Sequence, residues 1–527
     1  MKESFFRTMT WLHSWTGLLV CWLLLLIFFA GTLSYYRYEI NLWMKPELHS
    51  QVITDYDKVD LAATLVKGQA YLSDIAPHAA SWQIRLPSHR IPYVSFAWQE
   101  PSSPGERGKF YEHVVTTEGR TITDVRATKG GHFFYRLHFD LHYLPVPLAR
   151  YLVGFATMFM LLAIISGIVI HKRIFKDFFA LRLKKGPRSW LDGHTLTSVL
   201  ALPYHLMITY TGLLALMFLY MPSALHTAFD GDRKALQQAV LPLAKVTASG
   251  HPAPQIALGS LLPSILEHAK GHAIKDIKVI HPGDRNSQIQ VWLRNDQWIS
   301  EAEPRLLFSG TDGRFLGRVG ESLSPMKQSY DTLIGLHAAR FAEPTLRFAF
   351  FISGILGCVM IASGALLWTT KMRQKYRSSK TSHTCGSQLG LAICDGLNLG
   401  FITGLPIATA VFLWANRLLP WDLPSRYHFE INMFFIALGS TILLALCQKL
   451  RWHQALLAGS LLWLGVPLIN AASSSEHLLS NIAKGQWFIA WVDIMALCFA
   501  VLLMLGAHHS RQRNSPRTIL QAKEAAL

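Results

Sequence analysis

The sequence predicts a polytopic α-helical membrane protein of about eight spans that carries two small α+β domains outside the membrane. Three observations carry that prediction. Apolar residues make up 51% of the 527-residue chain and are gathered into blocks, eight of them long enough to cross a hydrocarbon core that needs ~20 helical residues. Lys and Arg concentrate in the gaps between particular blocks. The first 373 residues contain the same arrangement twice.

Residues 1–36 form the first span. A positive N-terminus before an apolar stretch also describes a secretory signal, but residues 17–33 exceed the ~7–15 apolar residues of a signal, so the span is expected to be retained. Residues 37–146 form the first external domain: a helix-like DLAATLVKGQAYLSDI, then alternating strands SWQIRLP, YVSFAWQ and HVVTTEGRTIT. The second span (147–171), a basic linker (172–194) and the third span (195–221) follow. A second external domain, residues 222–343, again puts a helix, LGSLLPSILEHAKGH, before strands such as KDIKVIHP, QIQVWLRN and RLLFSGTDGRFLG. The turn signals Glu118-Gly119 and Asp312-Gly313 each precede a last strand. The fourth span (344–370) and a second linker (371–390) lead to four closely spaced spans in residues 391–507, expected to be a separate module, and then a tail, 508–527.

The net charge of +17 is an orientation signal rather than a mark of nucleic-acid binding. The linkers HKRIFKDFFALRLKKGPRSW and KMRQKYRSSK and the tail RQRNSPR are dense in Lys and Arg. By the positive-inside rule they face the cytoplasm, which puts both termini inside and both small domains outside, with membrane lipid as the surrounding partner. Of six cysteines, five lie in apolar spans and Cys385 in a linker, so neither a disulfide framework nor an iron-sulfur cluster is expected. There is no HExxH for zinc and no GxGxxG after a strand for a nicotinamide. Any electrons must come from another protein or a quinol.

The duplication aligns without gaps in its spans. LHSWTGLLVCWLLLLIFFAG overlays GHTLTSVLALPYHLMITYTG, placing His13 on His194 and Gly31 on Gly212. PLARYLVGFATMFMLLAIISG overlays PTLRFAFFISGILGCVMIASG, both running from Pro-x-x-Arg to Ser-Gly. Both copies enter from the same side, so they are parallel repeats related by an axis along the membrane normal.

Histidine inside a span points to function by default, and here the histidines obey the repeat. His13 and His194 are equivalent near the cytoplasmic ends of their spans. His337 is equivalent to one of His138 and His142 near the external ends; the i, i+4 spacing puts those two on one helical face and leaves the choice open. Identical groups on symmetry-related helices can meet across the axis and offer two imidazoles to one metal, the ligand set of a six-coordinate haem. Gly17, one turn from His13, and Gly167, one turn from His171, leave room for a flat macrocycle, and one haem is expected near each membrane face. A purely structural reading is that such histidines only hydrogen-bond loop carbonyls. His171 and His205 align with Trp368 and Leu24. His205, eleven residues beyond His194, is expected on the same face and ~16 Å deeper, as a second ligand, a propionate partner or a satisfied core histidine.

Other residues are weighed in the same way. Trp82, Trp98 and Trp292 line either a substrate cleft or the sheet core. Arg85, Arg90 and Arg136 attract an anionic substrate or form solvated surface. Asp395 and Asp493 are acids at or inside spans, candidates for a proton or quinol site.

The runs LHSWTGLL, LHFDLHYLPVPLARYLVGF, SGIVIHKRIFKDFF, SWLDGHTLTSVLALPYHLMITYTGL and SWQIRLP resemble the PepSY-associated transmembrane family over residues 1–373. That family includes iron-regulated inner-membrane proteins and ferrisiderophore reductases of Gram-negative bacteria. The resemblance implies PepSY-like domains in the periplasm and a haem b reductase, with two haems, acting on ferric siderophores. It places His13, His138, His142, His171, His194, His205 and His337 at matching histidine motifs, with iron held through His13, His194, His142 and His337. Ferric iron is the harder ion and is favoured by oxygen ligands, so one-electron reduction loosens a siderophore's hold. Two other readings compete: a membrane-anchored PepSY binding or regulatory protein without activity, and a permease for iron or siderophore through the last four spans.

Overall fold

A computed structural model describes the chain apart from residues 1, 54, 57–58, 104–105, 107, 117–118, 172–181, 183–186, 222, 233–234, 237–245, 295–298, 301–302, 321–323, 379–384 and 514–527. Most of the first basic linker, the turn residue Glu118 and most of the tail therefore lie outside the described residues. Two compact units emerge: Met1–Pro46, Arg126–Leu216 and Ala342–Leu527 in one, Glu47–Val125 and Met217–Phe341 in the other.

The first unit is helical. Its long elements are α1 (Lys2–Ser34), α5 (Val146–Ile170), α10 (Pro344–Ser378), α11 (Cys385–Leu418), α12 (Arg426–Leu446), α13 (Trp452–Ser473) and α14 (Trp487–Arg513). These seven are long and apolar enough to cross a membrane. An eighth span is made by α6 (Pro187–Leu200) and α7 (Leu202–Ala215) if that pair, bent by 69°, counts as one. The bend follows from Pro203 in the first turn of α7. It has no N–H for the carbonyl of Val199 and its ring crowds that carbonyl, so the helix breaks and restarts. The straight-helix expectation for His205 therefore fails.

Short helices of this unit include α2 (Arg37–Trp43) and α4 (Gly130–Asp140). They touch backbone to backbone: a Cβ on Gly131 would lie 2.1 Å from the carbonyl oxygen of Arg37. Only glycine fits there.

The last four helices are not a module apart. The Trp22 indole of α1 donates to Asn398 Oδ1 of α11 at 3.0 Å. At the Trp43 end a buried network joins them again. Asp493 accepts from Trp43 Nε1 and from Asn470 Nδ2, both at 2.9 Å. Arg417 donates to Asn470 Oδ1 at 2.8 Å and to the Trp43 carbonyl at 2.6 Å, its guanidinium 4.1 Å from the Trp43 ring. Beside it Glu430 accepts from Arg426, Asn416 and Thr128. With both oxygens of Asp493 engaged, the acid singled out from sequence ties helices together. A buried polar network of this kind fixes how elements dock.

The second unit holds one antiparallel sheet of eight strands, ordered β4-β3-β2-β1-β5-β6-β7-β8. Strands β1 (Ser81–Arg85), β2 (Val94–Gln99), β3 (Phe110–Val115) and β4 (Thr121–Ile122) come from the first copy. The second copy supplies β5 (Ile274–Ile280), β6 (Gln288–Leu293), β7 (Arg305–Ser309) and β8 (Phe315–Val319). The two expected domains are thus halves of one sheet, sealed where β1 pairs with β5, Gln83 opposite Lys278. Antiparallel pairing of equivalent strands is what a two-fold relation between copies produces. Helices α3 (Leu61–Ile75) and α8 (Leu258–Ala269) pack together on the sheet. Gln69 of α3 bridges the halves, donating to the Ile256 carbonyl and accepting from the Leu258 amide. One core joins both halves, including Leu65, Trp82, Ile84, Phe96, Ile265, Ile277 and Phe308.

That core settles the tryptophans and arginines. Trp82 and Trp98 belong to it, the Trp82 indole bonded to the Ala76 carbonyl, while Arg305 lies 3.4 Å above the Trp292 ring. Arg85 pairs with Glu112 at 2.7 Å, Arg90 donates to the Ala339 carbonyl, and Arg136 in the other unit pairs with Asp140.

Candidate functional site

His13 of α1 and His194 of α6 meet edge to face, ring centres 6.2 Å apart and planes at 67°. Each is held in the same way. His13 Nδ1 lies 2.8 Å from the Ala163 carbonyl and 3.3 Å from Ser166 Oγ of α5; His194 Nδ1 lies 2.9 Å from the Met360 carbonyl and 3.5 Å from Ser363 Oγ of α10. Ala163 and Met360 occupy matching positions in the two copies, as do the two serines.

A carbonyl can only accept, so each Nδ1 carries its proton and each Nε2 keeps its lone pair. This is how ligating histidines are commonly oriented. The glycine of each Ser-Gly admits the ring: a Cβ on Gly167 would stand 3.1 Å from His13 Cε1, and one on Gly364 would stand 3.1 Å from His194 Cε1. Gly167 therefore makes way for an imidazole, not for the macrocycle expected from sequence. Gly17 and Gly193, by contrast, would point a Cβ into open space.

The spacing fits a shared metal. With metal–nitrogen bonds of about 2 Å and ring centres about 1 Å beyond each nitrogen, two trans imidazoles would stand about 6 Å apart. Among the described residues no group of three or more His, Cys, Asp or Glu converges, so the donors are a pair. Two imidazoles suit a metal whose other four ligands come from a macrocycle. Lys371 of α10 lies near enough to act electrostatically on both rings.

The remaining histidines are dispersed. His171 caps α5, its buried Nε2 lacks a partner, and it is near enough to His194 to act on it electrostatically. His205 is fully buried on α7, 6.4 Å from the Phe28 ring centre; neither ring nitrogen makes a hydrogen bond of normal geometry, and the backbone of Ser198 and Ser353 lies within reach of the ring. His138, in the last turn of α4, sets Nδ1 2.8 Å from the Ile27 carbonyl of α1, and its ring fills the place of a side chain at Gly31.

His142 does not share that face. α4 ends at Asp140, Leu141 and His142 take positive φ, and the His142 ring stacks 5.7 Å from Phe435 of α12. The expected single helical face fails because the helix stops between them. His337 belongs to the sheet unit, in the last turn of α9 (Pro325–Ala338). The carbonyl partners are the functional atoms that sequence reasoning missed; the repeated Ser-Gly was the available signal.

These features define a polytopic membrane protein whose duplicated helices present a symmetric histidine pair. The model of the PepSY-associated TM region matches residues 10–371, and the chain belongs to that family. The match ends before α11. The chain is also similar to an uncharacterized protein of Pseudomonas aeruginosa, 24% identical over 384 residues that cover 70% of this chain and 92% of the relative.

Proposed function

We propose that the chain is a haem-containing reductase of the bacterial inner membrane, passing electrons from a cytoplasmic or quinol donor to a ferric siderophore in the periplasm and so releasing ferrous iron. One observation supports this above others: the His13 and His194 ring centres stand 6.2 Å apart, and each ring has Nδ1 tied to a carbonyl at the same place in the repeat, which leaves both Nε2 lone pairs for a ligand. When bound there, haem b would supply a one-electron carrier.

The chain's own residues do the rest. Ala163 and Met360 fix the tautomer and the ring planes, Gly167 and Gly364 admit the rings, and the surrounding apolar helices exclude water. Within the helical unit, His138 has the Nδ1–carbonyl bond that orients a ligating imidazole, so it is a better candidate than His142 for a further ligand.

The test is the absorption spectrum of detergent-purified protein, oxidised and then reduced. Low-spin b-type bands that disappear in His13→Ala support the reading. A colourless protein that keeps its cellular role after that substitution would replace it with a binding or regulatory one.

A further inference from the structure

At the end of the helical unit where α10 stops and α11 starts, a cleft of about 640 Å³ opens between these helices and the α12–α13 turn. Its volume lies in the range of small-molecule sites. Three guanidiniums, Arg373, Arg377 and Arg451, line it with one carboxylate, Asp395, which Arg373 engages at 2.5 Å. The charge left over is positive and belongs to Arg377 and Arg451, both exposed. Beneath them the wall is apolar: Leu399 and Ala445 are buried in one cluster against which Leu450 and Trp452 pack.

We infer that this cleft seats an anionic phospholipid, its phosphate on Arg377 and Arg451 and the upper part of a chain against the apolar wall. Guanidinium is matched to phosphate by its planar fork of donors. Basic pockets between membrane helices on the side where Lys and Arg accumulate recognise such headgroups. KMRQKYRSSK, which marks that side in the sequence, contributes Arg373 and Arg377. A soluble phosphate compound shares the headgroup chemistry but has nothing to lay on the leucines. Trp452 and Tyr376, also lining the cleft, are the residue types that settle at the membrane–water boundary.

The test is native mass spectrometry of the full chain, delipidated and incubated with dioleoyl phosphatidylglycerol or dioleoyl phosphatidylcholine. Phosphatidylglycerol is expected to be retained several-fold more, and the Arg377→Gln/Arg451→Gln double variant to hold both lipids equally; both side chains are exposed, so folding is spared. Equal retention by the unaltered chain, or a preference unchanged in the double variant, overturns the proposal. So does sn-glycerol 3-phosphate binding as tightly as the lipid, which would assign the cleft to a soluble phosphate.

Discussion

The two copies of the repeat agree closely at one level of the bundle and part company at the next. His13 and His194 make the same bond to carbonyls at matching positions, beside matching Ser-Gly pairs. Farther along, α1 runs unbroken past Leu24, whereas its counterpart breaks by 69° and buries His205 where Leu24 stands in the first copy. If, as proposed, the two imidazoles share one ligand, both must be kept, with their supports. A residue serving one copy alone is under no such constraint, and the backbone around it is free to diverge.

The largest expected effect breaks the matched level. His13→Ala and His194→Ala should each abolish the low-spin haem bands proposed for the pair, and to the same extent, since either change removes one of the two imidazoles. Bands that survive one substitution but not the other would end the equivalence. Next comes a change outside the repeat: Asp493→Ala leaves Trp43 Nε1 and Asn470 Nδ2 without their acceptor. Each buried donor left unsatisfied costs about 1–3 kcal/mol, read as a fall in unfolding temperature with the spectrum proposed for the histidine pair retained.

His205→Leu makes the second copy resemble the first. Each unbonded buried polar group costs about 1–3 kcal/mol, so the cofactor-free variant should unfold at a higher temperature. A lower one would show that His205 has a partner. The smallest effect lies in the sheet. His113 Nδ1 meets the Tyr71 hydroxyl at 2.7 Å, and burial lowers the pKa of His113 below that of a free imidazole. As pH falls below ~6.5, the unfolded chain binds the proton first, so the sheet loses stability on acidification and recovers it on neutralisation. Protection factors of the β2–β3 amides, that is, exchange corrected for its intrinsic pH dependence, should fall between pH 7.5 and pH 5, and His113→Gln should flatten that dependence.

The sequence carried the spans, the repeat and the His13–His194 pairing because each is written in side-chain type and spacing. The bend at Pro203 was only partly legible: a proline within SVLALPYH removes one helix bond and crowds the preceding turn, yet α11 and α13 continue through Pro406 and Pro467. Other features were not written there. The groups that orient the imidazoles are backbone carbonyls, which every residue has, so nothing distinguishes Ala163 or Met360. The docking of the last four helices rests on Trp43 and Asp493, 450 residues apart and each unremarkable alone. Whether two sheets stand apart or share an edge depends on what an edge strand meets, and alternation in one strand does not record its neighbour.

The shared edge has a consequence for biogenesis. β1 finds its lateral partner only when β5 has been made, and the chain between them includes α5, α6 and α7. During synthesis the first half of the sheet therefore waits with one flank open while the intervening helices enter the bilayer. An exposed flank of that kind invites pairing with other chains, so a guardian that shields it until the second half arrives would act at the moment when this protein is most prone to go astray.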